Sequence, residues 1–582
     1  METTKTYFGD DNYGTIAAFS DFDGTGSPDL FVITDDGIHV CIVTGCHGVN
    51  IYLKTADGKQ WHKPPNSPVD GTIRRMNDTI ISVTPSDFSG DKVTDVLVIV
   101  HPEGDPGITA AYLYVAADES LTFKDPVLVS AELQDQPLVA DYNFDLVADI
   151  FGAKRDNSLL FWVYNKTSFS FDEKIINNLN GTGHSLVKPN SNAFVDLNND
   201  LKADLLVALR DETGHFIYQV WVAGRNNWTL YESHTIDDFS PFHVGQSSFV
   251  DVDADGRIDQ VVPVCFSEDC LNSSILVYKW TDKKWKPIIN SKSLQDWHFV
   301  PPDDSQWAVP VGFKLREGDL NLDSYSDFVA IMRQGTNISN EVVILINNEG
   351  MLTPDFKTPA LHNMRSPFVA AFADLSTTAH LDIIVGTDDS ETGELKFHVM
   401  TNKISPDANF IKVEVVTRTC SNKCNSMSYV SNPPGCMTAY ETTTPSGERQ
   451  LLTAAQLSQS SYLALQLPYV VMGLGQNPNF VDEVVVAIPN SYNETQHERR
   501  GKWLSLIPNS QLVVYPSPLD NPSEWQSNLL IHPSQSVLIT GLVLIGTCCF
   551  IGIIAGLLHL LERRQDDKQK KQEAHKFHFD AM

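Results

Sequence analysis

Asp251-Val252-Asp253-Ala254-Asp255-Gly256-Arg257-Ile258-Asp259, running into Val261-Val262-Pro263-Val264, is the stretch from which the fold can be read. Carboxylates stand at positions 1, 3, 5 and 9 of this loop, with Gly256 at the tight turn. Oxygen ligands at alternating positions, with a backbone carbonyl between them, are how a short loop wraps a hard cation such as calcium. An EF-hand is excluded, because its loop needs a Glu at position 12 and a helix on either side. Here the last Asp leads straight into an apolar run.

The spacing recurs along the chain. It appears at Asp21, Asp23, Thr25 and Asp29; at Asp87, Ser89, Asp91 and Asp95; at Asp141, Asn143, Asp145 and Asp149; and at Asp196, Asn198, Asp200 and Asp204. After Asp251–Asp259 it returns at Asp319, Asn321, Asp323 and Asp327, and a worn copy stands at Asp374, Ser376, Thr378 and Asp382. From first Asp to first Asp the intervals are 66, 54, 55, 55, 68 and 55 residues. Seven copies at a near-fixed period predict a repeat architecture.

The flanks say which one. A short run of mostly small or apolar residues precedes each loop, as in Ile16–Phe19, Ala193–Val195 and Val369–Phe372. A β-branched run follows, as in Leu30–Ile33, Val96–Val100, Leu205–Leu209 and Phe328–Met332. Further out an alternating strand recurs, as in Phe216–Val222 and Ile275–Trp280. Units of this length with about four strands are propeller blades, which leave only short, protected sheet edges. The expected fold is therefore all-β: a seven-bladed β-propeller over 1–400, a smaller β-domain over 405–530, a membrane helix over 537–561 and a tail over 562–582. The loops resemble the FG-GAP repeats of the integrin α-subunit propeller, although the Phe-Gly-Gly-Ala-Pro signature is reduced to Phe8-Gly9.

The loops rank by their ligands. The copy beginning at Asp251 offers four carboxylates, those at Asp141, Asp196 and Asp319 offer three plus an Asn carbonyl, and these four are expected to hold calcium. Those at Asp21 and Asp87 place a hydroxyl at one position and are open between calcium and simple turn capping, which Asp and Asn do well without metal. Asp374–Asp382 keeps two acids and is expected to be a turn cap.

Composition narrows the function. The 582-residue chain carries a formal charge of −31, which argues against nucleic acid as a partner, since that needs basic surface. Val537–Leu561 has His559 as its only ionisable group besides two thiols and is long enough to cross a bilayer. Arg563, Arg564, Lys568, Lys570, Lys571 and Lys576 follow it, whereas 516–536 holds no Lys or Arg. Positive charge stays in the cytoplasm, so the N-terminal part is expected outside, as in a type I protein. Met1–Thr6 has no apolar core, so a signal peptide is expected upstream of this chain. In an extracellular chain the close pairs Cys41/Cys46, Cys265/Cys270 and Cys420/Cys424 read as disulfide loops. Sequons at Asn77, Asn165, Asn180, Asn227, Asn272, Asn337 and Asn493 all precede the span and are the candidate glycosylation sites. Gly552 and Gly556 could let two spans approach closely.

No enzyme is expected. Asp21-Phe22-Asp23-Gly24-Thr25 reads like a haloacid-dehalogenase motif, but it is the first copy of the repeat, and no Lys or Asp-Asp pair follows in a matching context. HExxH and GxSxG are absent from the sequence.

Beyond residue 400 the period stops. Phe410–Val416 and Val484–Ile488 read as strands, and Leu457-Ser458-Gln459-Ser460 with Gly473-Leu474-Gly475 looks like the ASPIC/UnbV module. Pro516, Pro518, Pro522 and Pro533 predict a non-regular stalk. The whole layout, with Asn509–Leu512 and the tail Lys571–Met582, is similar to the T-cell immunomodulatory protein family, also called linkin. That resemblance implies a cell-surface adhesion protein that modulates T-cell function, with an extracellular protein ligand and with RuvB-like ATPases and tubulin on its tail side. The alternative is a shed ligand released by cleavage in the stalk.

Overall fold

Each repeat folds as one antiparallel sheet, because its apolar runs are short, β-branched and broken by Gly, Pro and Asn. The computed structural model describes residues 2–22, 24, 26–34, 48–54, 60–62, 72–74, 78–103, 107–117, 123–180, 184–224, 228–289, 293–302, 313–337, 339–355, 361, 364–389, 394–402, 408–417, 432–477, 479–490, 498–531 and 535–579. Among them, seven sheets follow one another, at 15–74, 79–133, 138–175, 185–235, 243–289, 297–355 and 367–400. In every sheet the last Asp of the loop opens a strand: Asp29–Thr34, Asp95–His101, Asp149–Ala153, Asp204–Arg210, Asp259–Cys265, Asp327–Gln334 and Asp382–Asp389. The loop thus closes the hairpin between that strand and the one before it, as Val250 opposite Asp259 shows in the fifth sheet.

First strands of neighbouring sheets touch one another, for example Thr15–Ser20 with Thr79–Ser86, and Arg316–Gly318 with both Ser248–Val250 and Pro367–Ala373. They surround a common centre, the channel, in which the first, second, third and sixth sheets all bond the buried residues 457–465. The series closes on itself. The Thr3 N–H donates to the Val399 carbonyl at 2.9 Å and the Gly14 N–H to the Leu395 carbonyl at 2.8 Å. Phe8 meets Phe397 edge-on at 5.0 Å. One continuous core then joins the first, second and seventh sheets, so the N-terminal turn is a seam rather than a loose end.

A second β-domain follows. One sheet pairs Val470–Gly475, Asn409–Val415, Ser510–Tyr515 and Gln526–Ile531 in that order. The other pairs Arg449–Gln456, Cys436–Thr443, Val481–Ala487 and Arg500–Leu506. Ile411, Val413, Met472 and Leu512 from the first share a core with Tyr440, Val484 and Val486 from the second, which makes a sandwich.

The stalk expectation is corrected here. Its prolines do not leave the chain irregular up to the membrane, because Gln526–Ile531 is an edge strand of the sandwich. Trp525 is buried against the domain and donates its indole N–H to the Pro518 carbonyl at 3.0 Å. A bulky indole with its polar edge satisfied anchors what composition alone reads as a linker.

The C-terminal unit is one helix, Gln535–Phe579, long and apolar enough to cross a membrane. Its charged end stays helical beyond the apolar stretch.

Candidate metal loops and the face they form

All seven loops share one backbone design. Residues at loop positions 4 and 6 both have positive φ: Gly24 and Gly26, Gly90 and Lys92, Phe144 and Leu146, Asn199 and Leu201, Ala254 and Gly256, Leu322 and Ser324, Thr377 and Ala379. Most are not glycine, and a non-glycine residue in the left-handed region carries strain that surrounding contacts must offset. The first Asp supplies the contacts. Its Oδ2 accepts the N–H of position 6 in every loop, from Gly26 at 2.8 Å, Lys92 at 3.0 Å, Leu146 at 2.9 Å, Leu201 at 2.6 Å, Gly256 at 2.9 Å, Ser324 at 2.9 Å and Ala379 at 3.1 Å.

The last Asp ties the loop to its sheet. Asp29, Asp95, Asp149, Asp204 and Asp327 each accept the N–H of position 2 at 2.8–3.1 Å. Asp29, Asp95, Asp327 and Asp382 also accept an N–H from the third strand or its end, from Lys54, Ala116, Asn347 and Asn402. Positions 1 and 9 are buried in every copy. Positions 3 and 5 lie nearer the surface in most copies: Asn143, Asp145, Asp91 and Asp255 are exposed, and Asn198, Asp200, Asp253, Asn321 and Asp323 are half-buried, while Ser89 is buried.

Burial pushes the enclosed carboxyls upward, and the other loop acids push the same way. Asp87, Asp141, Asp196, Asp251 and Asp327 are raised to about 7, and Asp95 and Asp259 to about 8. Asp149, Asp204 and Asp319 lie well above the usual carboxylate range for the same first reason. Groups that resist ionisation when alone are groups that a cation would stabilise.

The fit to a metal is most direct in the fifth loop. Asp251, Asp253 and Asp255 bring one carboxylate oxygen each to within 4.8 Å of one another, the single such gathering of His, Cys, Asp or Glu groups among the described residues. Asp253 Oδ1 and Asp259 Oδ2 are buried there without a hydrogen-bond donor. Sequence reasoning missed what else enters this loop. The Lys279 ammonium sits against Asp253 and lies 3.9 Å from Asp259 Oδ2. Lys279 stands 20 residues beyond the last Asp, the register position held by Asn347 in the sixth loop.

The same end of the molecule carries the second domain. Asp251 Oδ2 accepts the Thr453 N–H at 3.2 Å, Asp319 Oδ2 accepts the Gly473 N–H at 3.1 Å, and Asp374 Oδ2 accepts the Tyr469 hydroxyl at 3.2 Å. Lys412, fully buried, places its ammonium 3.6 Å from Asp374 Oδ2. These partners lie 38–202 residues from the aspartates they meet, so loop spacing alone does not reveal them.

The remaining expected sites divide simply. Cys265 and Cys270 are bonded to each other. Asn272 and Asn337 are exposed and Asn165 is half-buried. Asp23, Cys41, Cys46, Cys420, Cys424, Asn77, Asn227, Asn493 and the side chain of Asn180 lie outside the described residues.

Comparisons with known proteins agree with this architecture. A family model described as an FG-GAP-like repeat matches residues 21–98. A model described as "ITFG1, C2 domain" matches 428–530, so the sandwich carries a C2 description rather than an ASPIC/UnbV one. The T-cell immunomodulatory protein of Mus musculus is 32% identical over 600 residues, covering 100% of this chain and 94% of that protein. That of Homo sapiens is 33% identical over 608 residues, with the same coverage. Protein linkin of Caenorhabditis elegans is 27% identical over 606 residues, covering 98% of this chain and 96% of that protein. An all-β chain of FG-GAP-like repeats, a C2-type sandwich and one apolar C-terminal helix, matched end to end by such relatives, belongs to the T-cell immunomodulatory protein (linkin) family.

Proposed function

We propose that the chain is a single-pass type I protein of the plasma membrane. Its sheets and sandwich bind an extracellular protein partner in cell adhesion and in modulation of T-cell function. The observation that carries this reading is the full-length match to relatives named for immunomodulation, joined to one apolar helix with its basic cluster on the C-terminal side. The positive-inside rule sets the orientation. The second domain covers the Asp-loop end of the fifth to seventh sheets, which favours the opposite end for a protein ligand. On the cytoplasmic side, RuvB-like ATPases and tubulin are the partners the family likeness suggests.

Calcium is the cation that suits the loops, since their ligands are hard carboxylate and amide oxygens. The copies at Asp141, Asp196, Asp251 and Asp319 would hold it, and in that state it would offset the mutual repulsion of their carboxylates. A shed form is less favoured, because the expected cleavage region contains the paired strand Gln526–Ile531.

Epitope staining tests the orientation. An antibody to the last ten residues should stain only permeabilised cells, and a tag ahead of Thr15 should stain intact ones. Tail staining of intact cells overturns the type I reading.

A further inference from the structure

Between the sandwich strands Arg449–Gln456 and Val470–Gly475 the chain leaves the second domain and enters the channel of the seven sheets. Residues 457–465 are all buried there. They form no strand, so their backbone groups need partners from elsewhere. Four residues bond the segment's backbone and two its side chains, one from each of four sheets, with Asp135 and Gln136 from the connection between the second and third. Arg316 donates to the Tyr462 carbonyl at 2.6 Å and to the Leu463 carbonyl at 3.1 Å. Gln136 donates to the Ser461 carbonyl at 2.9 Å, and Phe19 N–H to the Ala464 carbonyl at 3.3 Å. Leu463 N–H donates to the Ser82 hydroxyl at 3.3 Å, and Val139 N–H to the Gln459 amide oxygen at 3.3 Å. The Tyr462 hydroxyl donates to the buried Asp135.

A buried arginine and a buried aspartate are expensive to desolvate, and apolar side chains would fill such a space at lower cost. Their hydrogen bonds fix the position of one particular segment instead. The three aspartates that hold the second domain lie just outside that segment. Thr453 bonds Asp251 shortly before it, and Tyr469 and Gly473 bond Asp374 and Asp319 shortly after. The fifth, sixth and seventh loops therefore grip both ends of what the channel holds in the middle.

We propose that residues 457–466 are a latch seating the second domain in the channel, and that the first aspartates of the fifth, sixth and seventh loops set its seating. A divalent cation that orders the fifth and sixth loops and the seated latch then stabilise one another, since such coupling is reciprocal. This last link rests on the calcium reading above; the latch itself does not.

Hydrogen exchange read by mass spectrometry on the full chain in detergent tests both. Arg316→Ala removes the two guanidinium bonds inside the channel. Gly473→Ala acts outside it, because a Cβ there would fall 2.3 Å from Asp319 Oδ2. Each should speed exchange of a 457–466 peptide at least about tenfold while Asp204–Arg210 keeps its wild-type protection. Tyr462→Phe, which removes one hydroxyl and little volume, should give a smaller rise in the same peptide and serves if the stronger variants fail to fold. Wild-type protection of 457–466 in either folded stronger variant, or in Tyr462→Phe where neither folds, overturns the latch. For the link, chelator should speed exchange of 457–466 at least about threefold in the wild type and add little in Gly473→Ala. A chelator that lowers Tm yet leaves 457–466 unchanged overturns the link alone. One that moves neither overturns the calcium reading and the link with it.

Discussion

The fifth and sixth loops close the same hairpin with the same backbone turn, yet they meet their charge differently. The fifth holds four carboxylates and Lys279; the sixth holds three carboxylates and Asn347 at the matching register. Lys279 offsets one carboxylate and Arg257, inside the loop, another, so the fifth loop is left with less formal negative charge than the sixth. The last Asp shows the consequence. Asp327 accepts N–H groups from both Leu320 and Asn347, at 3.0 and 2.8 Å. Asp259 has one oxygen with no hydrogen-bond donor and the Lys279 ammonium nearby. Counting acids therefore misjudges need: the richest loop already has a cation of its own.

The sharpest way to break this comparison is to remove a first aspartate. Asp319→Ala would strip acceptors from the N–H groups of Asp323, Ser324 and Gly473, all in or beside a buried turn. Unmade bonds to a buried charged group cost about 1.5–3 kcal/mol each, so a total loss above about 3 kcal/mol is expected in denaturant unfolding. A loss below about 1 kcal/mol would mean that the carboxylate does not hold the loop.

Next in size is Lys279→Met, whose sign should depend on metal. Without calcium the variant leaves Asp253 and Asp259 without their ammonium partner and should be less stable than wild type. With calcium the fifth loop should bind about tenfold more tightly, or about 1.4 kcal/mol. Titration calorimetry measures the second effect and melting in chelator the first. The same sign in both would remove Lys279 from the account.

Proton competition gives a smaller, graded effect. Burial first, and then like charge, holds the folded carboxyls of Asp141 and Asp251 at about 7 and Asp259 at about 8, above their unfolded values. The metal-free folded chain therefore keeps protons that the unfolded chain has lost, and its stability falls as pH rises from the ordinary carboxylate range toward 8. Calcium needs the ionised groups. The rise in Tm on adding calcium should be small at pH 5 and largest near pH 8. A rise independent of pH would show that these carboxylates are not its ligands.

The sequence made the aspartate spacing and the strands around it legible, because both depend on neighbours within one hairpin. Strand Asp204–Arg210 lies where Leu205–Leu209 predicts it, and Phe216–Ala223 where Phe216–Val222 does. What stayed hidden depends on distant partners. Leu457–Ser460 and Gly473–Gly475 stand out in the sequence, but only the fold shows one in the channel and the other against Asp319. Lys279 ends an ordinary alternating strand, and its ammonium matters only once the hairpin brings it to Asp253. Pro516–Ser536 misled because proline content reports local backbone and not the anchoring of Trp525.

The least effect is expected at the worn copy. Thr378→Ala should change stability by no more than about 0.5 kcal/mol with or without calcium, as for an exposed surface position. There Lys412 already stands beside Asp374.

Counting bound calcium tests the central claim most directly. Equilibrium dialysis of the full chain at millimolar calcium, followed by elemental analysis, should find about four ions per chain, one for each of the copies beginning at Asp141, Asp196, Asp251 and Asp319, which place only Asp or Asn at positions 1, 3, 5 and 9. Asp145→Asn with Asp149→Asn, which weaken one such copy, should lower that number by one. Fewer than one ion per folded chain would contradict the account and leave the seven loops as hydrogen-bonded turns.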